Sequence, residues 1–130
     1  MYVLDTNVLI YYFKGMGNVA AHLLSHAPKE IGIPTIVLFE LEVGIAKSTS
    51  PEKRTQQLAE LAKIVHVLPF NYATAQVAAQ IRTNLEIKGT PIGPYDMLIA
   101  ATAVAHRAIL VTRNGQEFSR IENLMSENWF

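Results

Sequence analysis

The chain has 130 residues, of which 50% are hydrophobic, and its 11 basic residues balance 11 acidic ones. This length suits one domain, which we expect to span residues 1–130, and the balanced charge excludes a global positive field that would attract nucleic acid. There is no cysteine, which excludes disulfides, thiolate catalysis and cysteine-based zinc sites.

The N-terminal stretch does not have the pattern of a signal peptide or a membrane anchor. It lacks a basic region, Asp5 interrupts its apolar run, and no apolar run in the chain reaches the roughly 18 residues that indicate a membrane helix. Because a cysteine-free chain also suits a reducing compartment, we expect a cytoplasmic protein.

Short apolar runs alternate with helical patterns in the first half of the chain. Strands are predicted at residues 2–4 and 31–33, and helices at 6–14, 18–27, 35–47 and 51–64. Ser50 followed by Pro51 is a typical N-cap and first-residue pair for the last of these helices.

The second half of the chain continues this alternation. Strands are predicted at residues 65–68 and 109–111, with an edge strand in the tail sequence NLMSENW. Helices are predicted between Asn71 and Gly89 and at 97–108, and a polar turn with a short helix in TRNGQEF. Strands that alternate with helices predict an α/β domain with a mainly parallel sheet.

Two loops of this predicted fold carry polar residues directly after a strand. Asp5 follows the first strand, while Thr112, Arg113 and Asn114 follow the fourth. Ligands of α/β proteins collect at the carboxyl ends of the strands. We therefore expect these two loops to lie side by side.

Asp5 and Asp96 are the only aspartates in the chain, and each stands in an apolar run. Burying an unpaired carboxylate costs several kcal/mol or forces it to take up a proton. Each aspartate also precedes a predicted helix, so helix capping and cation binding both remain open interpretations.

Three glutamates extend this acidic set. Glu40 lies on an apolar helix face, but Glu42 has equally apolar neighbours, so helical spacing does not choose between them. Glu117 by itself is typical of a solvated acid in the first turn of a short helix. If such acids converge, two carboxylates about 4 Å apart repel by roughly 4 kcal/mol at an effective dielectric near 20. A hard cation such as Mg²⁺ or Mn²⁺, which prefers oxygen ligands, would relieve that repulsion.

Four segments in this order resemble the PIN-domain ribonucleases of the VapC toxin type. They are VLDTNVLI, FELEVGI, PIGPYDMLIAATA and LVTRNGQEF, and together they extend over essentially the whole chain. The resemblance implies a three-layer α/β/α sandwich on a mainly parallel sheet of about five strands, with an acidic metal site at one edge.

The resemblance also implies roles for six residues. By motif position the catalytic acids are Asp5, Glu40, Asp96 and Glu117, with Asp5 and Asp96 as metal ligands and with Thr112 and Asn114 as supporting residues. On this basis Glu40 is preferred to Glu42. Glu117 stands where the family usually has aspartate, and its extra methylene favours contact with the metal through water.

The activity implied by the resemblance is that of a Mg²⁺- or Mn²⁺-dependent endoribonuclease that cleaves RNA such as tRNA. Such proteins are toxins of type II toxin–antitoxin pairs, are silenced by a VapB-like antitoxin that occupies the active-site groove, and commonly form homodimers. The alternative is a catalytically silent PIN-like module that binds RNA or protein. A phosphotransfer domain with Asp5 as phosphoacceptor is disfavoured, because the chain lacks a second aspartate beside Asp5.

Some polar residues are poor candidates for the site, and others are possible RNA contacts. His22 and His26 have the spacing of a helical metal pair, but no HExxH pattern accompanies them, so we expect surface or packing roles. The cations that are candidates for contact with RNA phosphates are Lys14, Arg82, Lys88 and Arg113.

Overall fold

Five short strands form the centre of the protein in this computed structural model, which describes residues 1–130. They are β1 (Tyr2–Leu4), β2 (Ile31–Pro34), β3 (His66–Leu68), β4 (Ile109–Val111) and β5 (Met125–Glu127). The strands form one sheet in the order β3-β2-β1-β4-β5, and every neighbouring pair is parallel. The predicted α/β class, the parallel sheet and the edge strand in the tail are confirmed.

Seven α-helices connect the strands and cover both faces of the sheet, which confirms the three-layer α/β/α sandwich. They are α1 (Thr6–Lys14), α2 (Val19–Leu24), α3 (Thr35–Ala46), α4 (Pro51–Ile64), α5 (Tyr72–Lys88), α6 (Pro94–Ala105) and α7 (Gly115–Phe118). A single 3-10 turn, Pro28–Glu30, leads into β2. None of the helices combines the length and the hydropathy needed to cross a membrane.

The ends of α5 follow the capping chemistry of its sequence. The Asn71 side chain accepts the backbone N–H of Thr74 at 3.0 Å, and Gly89 ends the helix with a φ of +69° that favours glycine. The predicted N-cap and first-residue pair of α4, Ser50 and Pro51, is confirmed in position. Ser50 occupies the N-cap position without a side-chain hydrogen bond, and its own N–H donates to the Ser48 hydroxyl at 2.9 Å.

Three helix ends differ from the prediction by three residues. Helix α2 ends at Leu24 rather than at residue 27, and helix α6 runs from Pro94 to Ala105 rather than from 97 to 108. Proline fits the first helical position because the N–H that it lacks would have no partner there. Asp96 therefore lies inside the first turn of α6, and the helix-capping interpretation of Asp96 is wrong, since Gly93 is the N-cap.

The core is one cluster of 26 buried hydrophobic residues around the central strands. Val3 and Leu4 of β1 and Leu110 and Val111 of β4 are completely buried. Central strands of a parallel sheet are covered on both faces, which explains why these strands are continuous apolar runs in the sequence.

Strand β1 lies at the centre of the sheet. The chain extends the sheet from β1 first on one side, through β2 and β3, and then on the other, through β4 and β5. Strand β1 pairs with β2 on one side and with β4 on the other. The N–H of Asp5 donates to the carbonyl of Val111 at 3.0 Å, so the loops after β1 and β4 lie side by side as predicted. In α/β proteins this position is where ligands bind.

His22 and His26 take part in aromatic packing. Both rings stack on the buried Trp129, with centroid distances of 5.7 Å and 5.1 Å and interplanar angles of 13° and 8°. Tyr2 packs against Trp129 from β1 at 5.3 Å. The histidine pair holds the C-terminal segment against α2 and belongs to no group of possible metal ligands.

Candidate functional site

Asp5 is the buried centre of the candidate site. It immediately follows β1, is 5% exposed, and occupies the N-cap position of α1. Its Oδ1 accepts the N–H of Thr6 at 2.8 Å, and its Oδ2 accepts the hydroxyl of Thr112 at 2.8 Å. Asp5 therefore has the predicted capping position and also presents a buried carboxylate at the carboxyl edge of the sheet.

A chain of hydrogen bonds leads from Asp5 to Glu117. The Thr112 hydroxyl that donates to Asp5 accepts the backbone N–H of Asn114 at 3.0 Å. The Asn114 side chain then donates to Glu117 Oε2 at 2.7 Å. Thr112 and Asn114 thus order the loop after β4, and the half-buried Glu117 faces the site although it lies on a short surface helix.

Glu40 and Glu42 have different surroundings although both are on α3. Glu40 is half-buried, and its Oε1 accepts the hydroxyl of Thr6 at 2.7 Å. Glu42 is exposed and has no hydrogen-bond partner. The structure therefore places Glu40, and not Glu42, beside Asp5. Thr6 is a site residue that was not predicted from the sequence. Its position directly after Asp5 could have indicated that it belongs to the site.

Asp96 completes the acidic cluster from the first turn of α6. Its Oδ2 lies 3.5 Å from the position that a Cβ on Gly93 would occupy, and the N–H of Gly93 donates to Glu117 Oε1 at 3.4 Å. Gly93 is thus flanked by two carboxylates. The N-terminal end of α6 favours these negative charges.

The charges of the neighbouring acids act on both aspartates. Burial raises the pKa of Asp5, as do the charges of Glu40 and Glu117, while the hydrogen bonds from Thr112 and Thr6 lower it. Burial, together with the charges of Asp5, Glu117 and Glu40, raises the pKa of Asp96 to about 6. No lysine or arginine forms an ion pair with either aspartate. The cluster therefore carries repulsion that a proton or a cation would reduce.

The donor set of the cluster consists of oxygen atoms only. No three acidic or histidine side chains are arranged as a complete group of metal ligands. A cation held by Asp5 and Asp96 would take its further ligands from water or from a shifted side chain. The set suits Mg²⁺ or Mn²⁺ in this respect, because Mg²⁺ typically keeps several waters and binds one or two carboxylates.

A family model describes almost the whole chain. The model of the PIN domain matches residues 2–124. The chain belongs to the PIN domain family. Within it, this PIN domain is 37% identical over 131 residues to "Ribonuclease VapC2" of Rickettsia felis, covering 99% of the chain and 98% of the relative. It is 32% identical to the "tRNA(fMet)-specific endonuclease VapC" of Shigella flexneri, covering 98% and 97%. These relatives place the chain among PIN domains of the VapC type.

Solved structures agree with this family assignment. The PIN domain superimposes on a chain of the VapBC2 complex from Rickettsia felis, bound to a DNA fragment from its promoter, with a TM-score of 0.91 and 37% identity. It superimposes equally well, with a TM-score of 0.91 and 33% identity, on a chain of DNA-bound VapBC from Salmonella typhimurium. In both cases 99% of this chain and 98% of the other are covered, so the fold is shared along its whole length.

A groove leads away from the acidic cluster of this PIN domain. It is a cavity of about 400 Å³ between α1, α3 and α4, and Glu40 forms part of its lining. Lys14 and Arg54 also line it, and Arg54 is fixed there by a hydrogen bond to the carbonyl of Phe13 at 3.1 Å. The space beside Glu40 is therefore large enough for a ligand larger than a single ion.

Of the four cations that are candidates for contact with RNA, two form ion pairs in the structure and two do not. Arg82 pairs with Glu86 at 3.5 Å, and Lys88 pairs with Glu122 at 2.8 Å. Both pairs are exposed. The first lies on α5, and the second joins Lys88 at the end of α5 to the segment between α7 and β5. Lys14 and Arg113 have no acidic partner, which leaves these two free to contact an anion.

Replacing Thr112 with valine should destabilise the protein by about 1–3 kcal/mol at neutral pH. Valine removes the hydroxyl that donates to Asp5 and accepts the N–H of Asn114, so the buried Asp5 carboxylate and the N–H of Asn114 each lose a partner. The loss of the donor also raises the pKa of Asp5 further. Urea denaturation at neutral pH measures the change. Thr112→Ser is the control, because it keeps the hydroxyl, and equal stabilities of the two variants would contradict the prediction.

Proposed function

We propose that this PIN domain is an endoribonuclease that hydrolyses RNA phosphodiesters and acts as the toxin of a type II toxin–antitoxin pair. The observation that carries the proposal is the buried carboxylate of Asp5, which lies among three further carboxylates with no cationic partner. A fold has no structural need for such a cluster, because it destabilises the native state. The ribonuclease names of the VapC relatives support the choice of reaction.

We propose Mg²⁺ or Mn²⁺ as the cofactor, held by Asp5 and Asp96, with Glu40 and Glu117 contributing through water. When bound, such an ion lowers the pKa of a water molecule and stabilises charge on phosphoryl oxygens. The oxygen-only donor set and the raised pKa of both aspartates support this proposal.

The protein's own residues have three tasks in this reaction. Thr112 and the N–H of Thr6 hold Asp5 in one orientation. The Thr6 hydroxyl fixes Glu40, and Asn114 fixes Glu117, where each can accept a hydrogen bond from the attacking water. These contacts pre-organise the acids, so that they can position a water molecule for attack on the phosphodiester.

The partners follow from the same proposal. We propose that a VapB-like antitoxin occupies the groove beside Glu40 and blocks access to the acids. The VapBC complexes among the structural relatives support an antitoxin as partner. We further propose a homodimer that works in the cytoplasm, with tRNA as the first substrate class to test because one relative is named a tRNA(fMet)-specific endonuclease.

The direct test is RNA cleavage by the purified protein. Cleavage of an RNA pool that includes tRNA should occur with Mg²⁺ or Mn²⁺, stop in EDTA, and return when the ion is restored in excess. Equal cleavage in the presence and absence of EDTA would contradict the metal-dependent reaction.

A second function, a silent module that binds RNA or protein, makes a different prediction. Calorimetric titration with Mn²⁺ at neutral pH should show binding to the acidic cluster if the protein is a nuclease. RNA binding without Mn²⁺ binding and without cleavage would favour the silent module.

A further inference from the structure

The loop after β4 carries one cation whose position suggests a specific task. Arg113 lies between Thr112 and Asn114, the two residues that connect Asp5 with Glu117. Its side chain does not turn towards the carboxylates, since it forms no ion pair with any of them. An arginine in the loop that connects Asp5 with Glu117, and without an acidic partner, is available for another anion.

The guanidinium is held in place by aromatic rings. It lies 3.5 Å from the centroid of the Phe130 ring and 5.5 Å from that of Tyr11. The two rings pack edge to face at 4.9 Å. A backbone oxygen of Phe130 accepts the N–H of Asn18 at 2.6 Å, which fixes the Phe130 ring against the body of the protein. This support restricts the side chain before any ligand arrives, so binding an anion costs less conformational entropy.

Stacking on a ring leaves the hydrogen-bonding capacity of arginine free. The N–H donors of a guanidinium point outwards in its own plane, and rings contact its face. None of the Arg113 donors is used in a hydrogen bond within the protein. A phosphate group matches this planar set of donors because it accepts two parallel hydrogen bonds.

The charge distribution of the protein makes Arg113 important for binding RNA phosphates. The chain has zero net charge, and its acidic cluster repels the phosphates of an approaching RNA. Sequence-independent affinity for RNA comes from cations close to the backbone. Arg82 and Lys88 are already paired with glutamates.

We infer that Arg113, supported by Phe130 and Tyr11, forms a phosphate-binding subsite that holds an RNA phosphodiester flanking the one that is cleaved. The inference rests on the proposed ribonuclease function and deepens it. Arg113 is a binding residue that keeps the strand on the acidic cluster and does not take part in the chemical step.

The test compares four variants with the wild type on a short single-stranded RNA. Arg113→Gln removes the charge, and Arg113→Lys keeps it without the planar donors. Phe130→Leu removes the ring under the guanidinium. Lys29→Gln is the matched control, because it also removes one exposed, unpaired cation. Lys29 lies directly before β2, at the end of the sheet where the strands begin, whereas the acidic cluster lies where they end. Thermal melting confirms that each variant is folded.

Arg113→Gln should raise KM about tenfold, the loss expected for a charged hydrogen bond, and leave kcat within about twofold. Binding measured by fluorescence anisotropy in EDTA should lose about 0.7 from the slope of log affinity against log salt, the value for one contact to single-stranded nucleic acid. Arg113→Lys and Phe130→Leu should keep the slope and raise KM about threefold, in line with a weakened cation–π contact. Lys29→Gln should match the wild type.

Three contradicting outcomes are distinguishable. If the wild type cleaves RNA while Arg113→Gln has the KM and salt slope of Lys29→Gln, the phosphate subsite is overturned and the proposed function stands. If the wild type neither cleaves nor binds RNA, the proposed function is overturned, and the subsite with it. A role of Arg113 in folding alone would lower the melting temperature of Arg113→Gln and leave the salt slope unchanged, which also overturns the inference.

Discussion

Replacing Asp5 with asparagine should reduce RNA cleavage at least about a thousandfold, because the carboxylate contributes several kcal/mol of transition-state stabilisation through the cation that it holds. The fold should survive. Asparagine has the same shape, its oxygen still accepts the N–H of Thr6, and the Thr112 hydroxyl can rotate to accept a hydrogen bond instead of donating one. Single-turnover cleavage with Mg²⁺ measures the loss, and circular dichroism checks the fold.

The matched control for this variant is Glu42→Gln. It also removes one negative charge, but from an exposed side chain on α3 that has no hydrogen-bond partner. Its cleavage rate should stay within about threefold of the wild type, since exposed charges act weakly over distance in salt. Equal activity of Asp5→Asn and Glu42→Gln would contradict the role of Asp5.

The neighbouring position of the two central loops was predictable from the sequence because it depends on strand order alone. Apolar runs that begin at Tyr2 and Ile109 predict buried parallel strands, and the residues that follow such strands meet at one edge. The contact between Asp5 and Thr112, which are 107 positions apart in the chain, is the direct result.

The arrangement of the acids within the site was less predictable, because it depends on side-chain packing. Helical spacing does not choose between Glu40 and Glu42. In the structure Glu40 is half-buried and accepts the hydroxyl of Thr6, whereas Glu42 is exposed and has no hydrogen-bond partner. The start of α6 was misplaced by three residues, and this shift decides whether Asp96 caps the helix or points from its first turn. Local sequence does not determine such boundaries closely.

The aromatic support of Arg113 could not be predicted from the sequence, because it too depends on the packing of side chains in the folded protein. Tyr11, Arg113 and Phe130 come from three distant segments that meet only when β5 completes the sheet beside β4. The sequence identified Arg113 as one of four possible RNA contacts, and the distances in the structure distinguish it from the others.

Asp96→Asn should raise the thermal stability of the protein in EDTA at neutral pH while it abolishes cleavage. A carboxyl whose pKa is raised by folding destabilises the native state above that pKa, so the cost of Asp96 is present above pH about 6 and disappears as the pH falls towards the ordinary value of 3.8. Because Asp96 is only half-buried, solvent screening reduces this cost, and we expect a gain of about 1 kcal/mol, or roughly 3–6 °C in Tm. Differential scanning calorimetry at several pH values measures the gain.

Added Mg²⁺ should reverse the order of the two proteins. The ion stabilises the wild type in proportion to its occupancy of the native state, and the variant lacks one of the two carboxylates that would hold it. The wild type should therefore gain in Tm as Mg²⁺ rises, while Asp96→Asn gains little. Glu42→Gln again serves as the control for the removal of one charge, and it should respond to Mg²⁺ like the wild type. If Asp96→Asn is less stable than the wild type in EDTA at neutral pH, Asp96 is not held under repulsion. In that case the acidic cluster would need a structural explanation in place of a catalytic one.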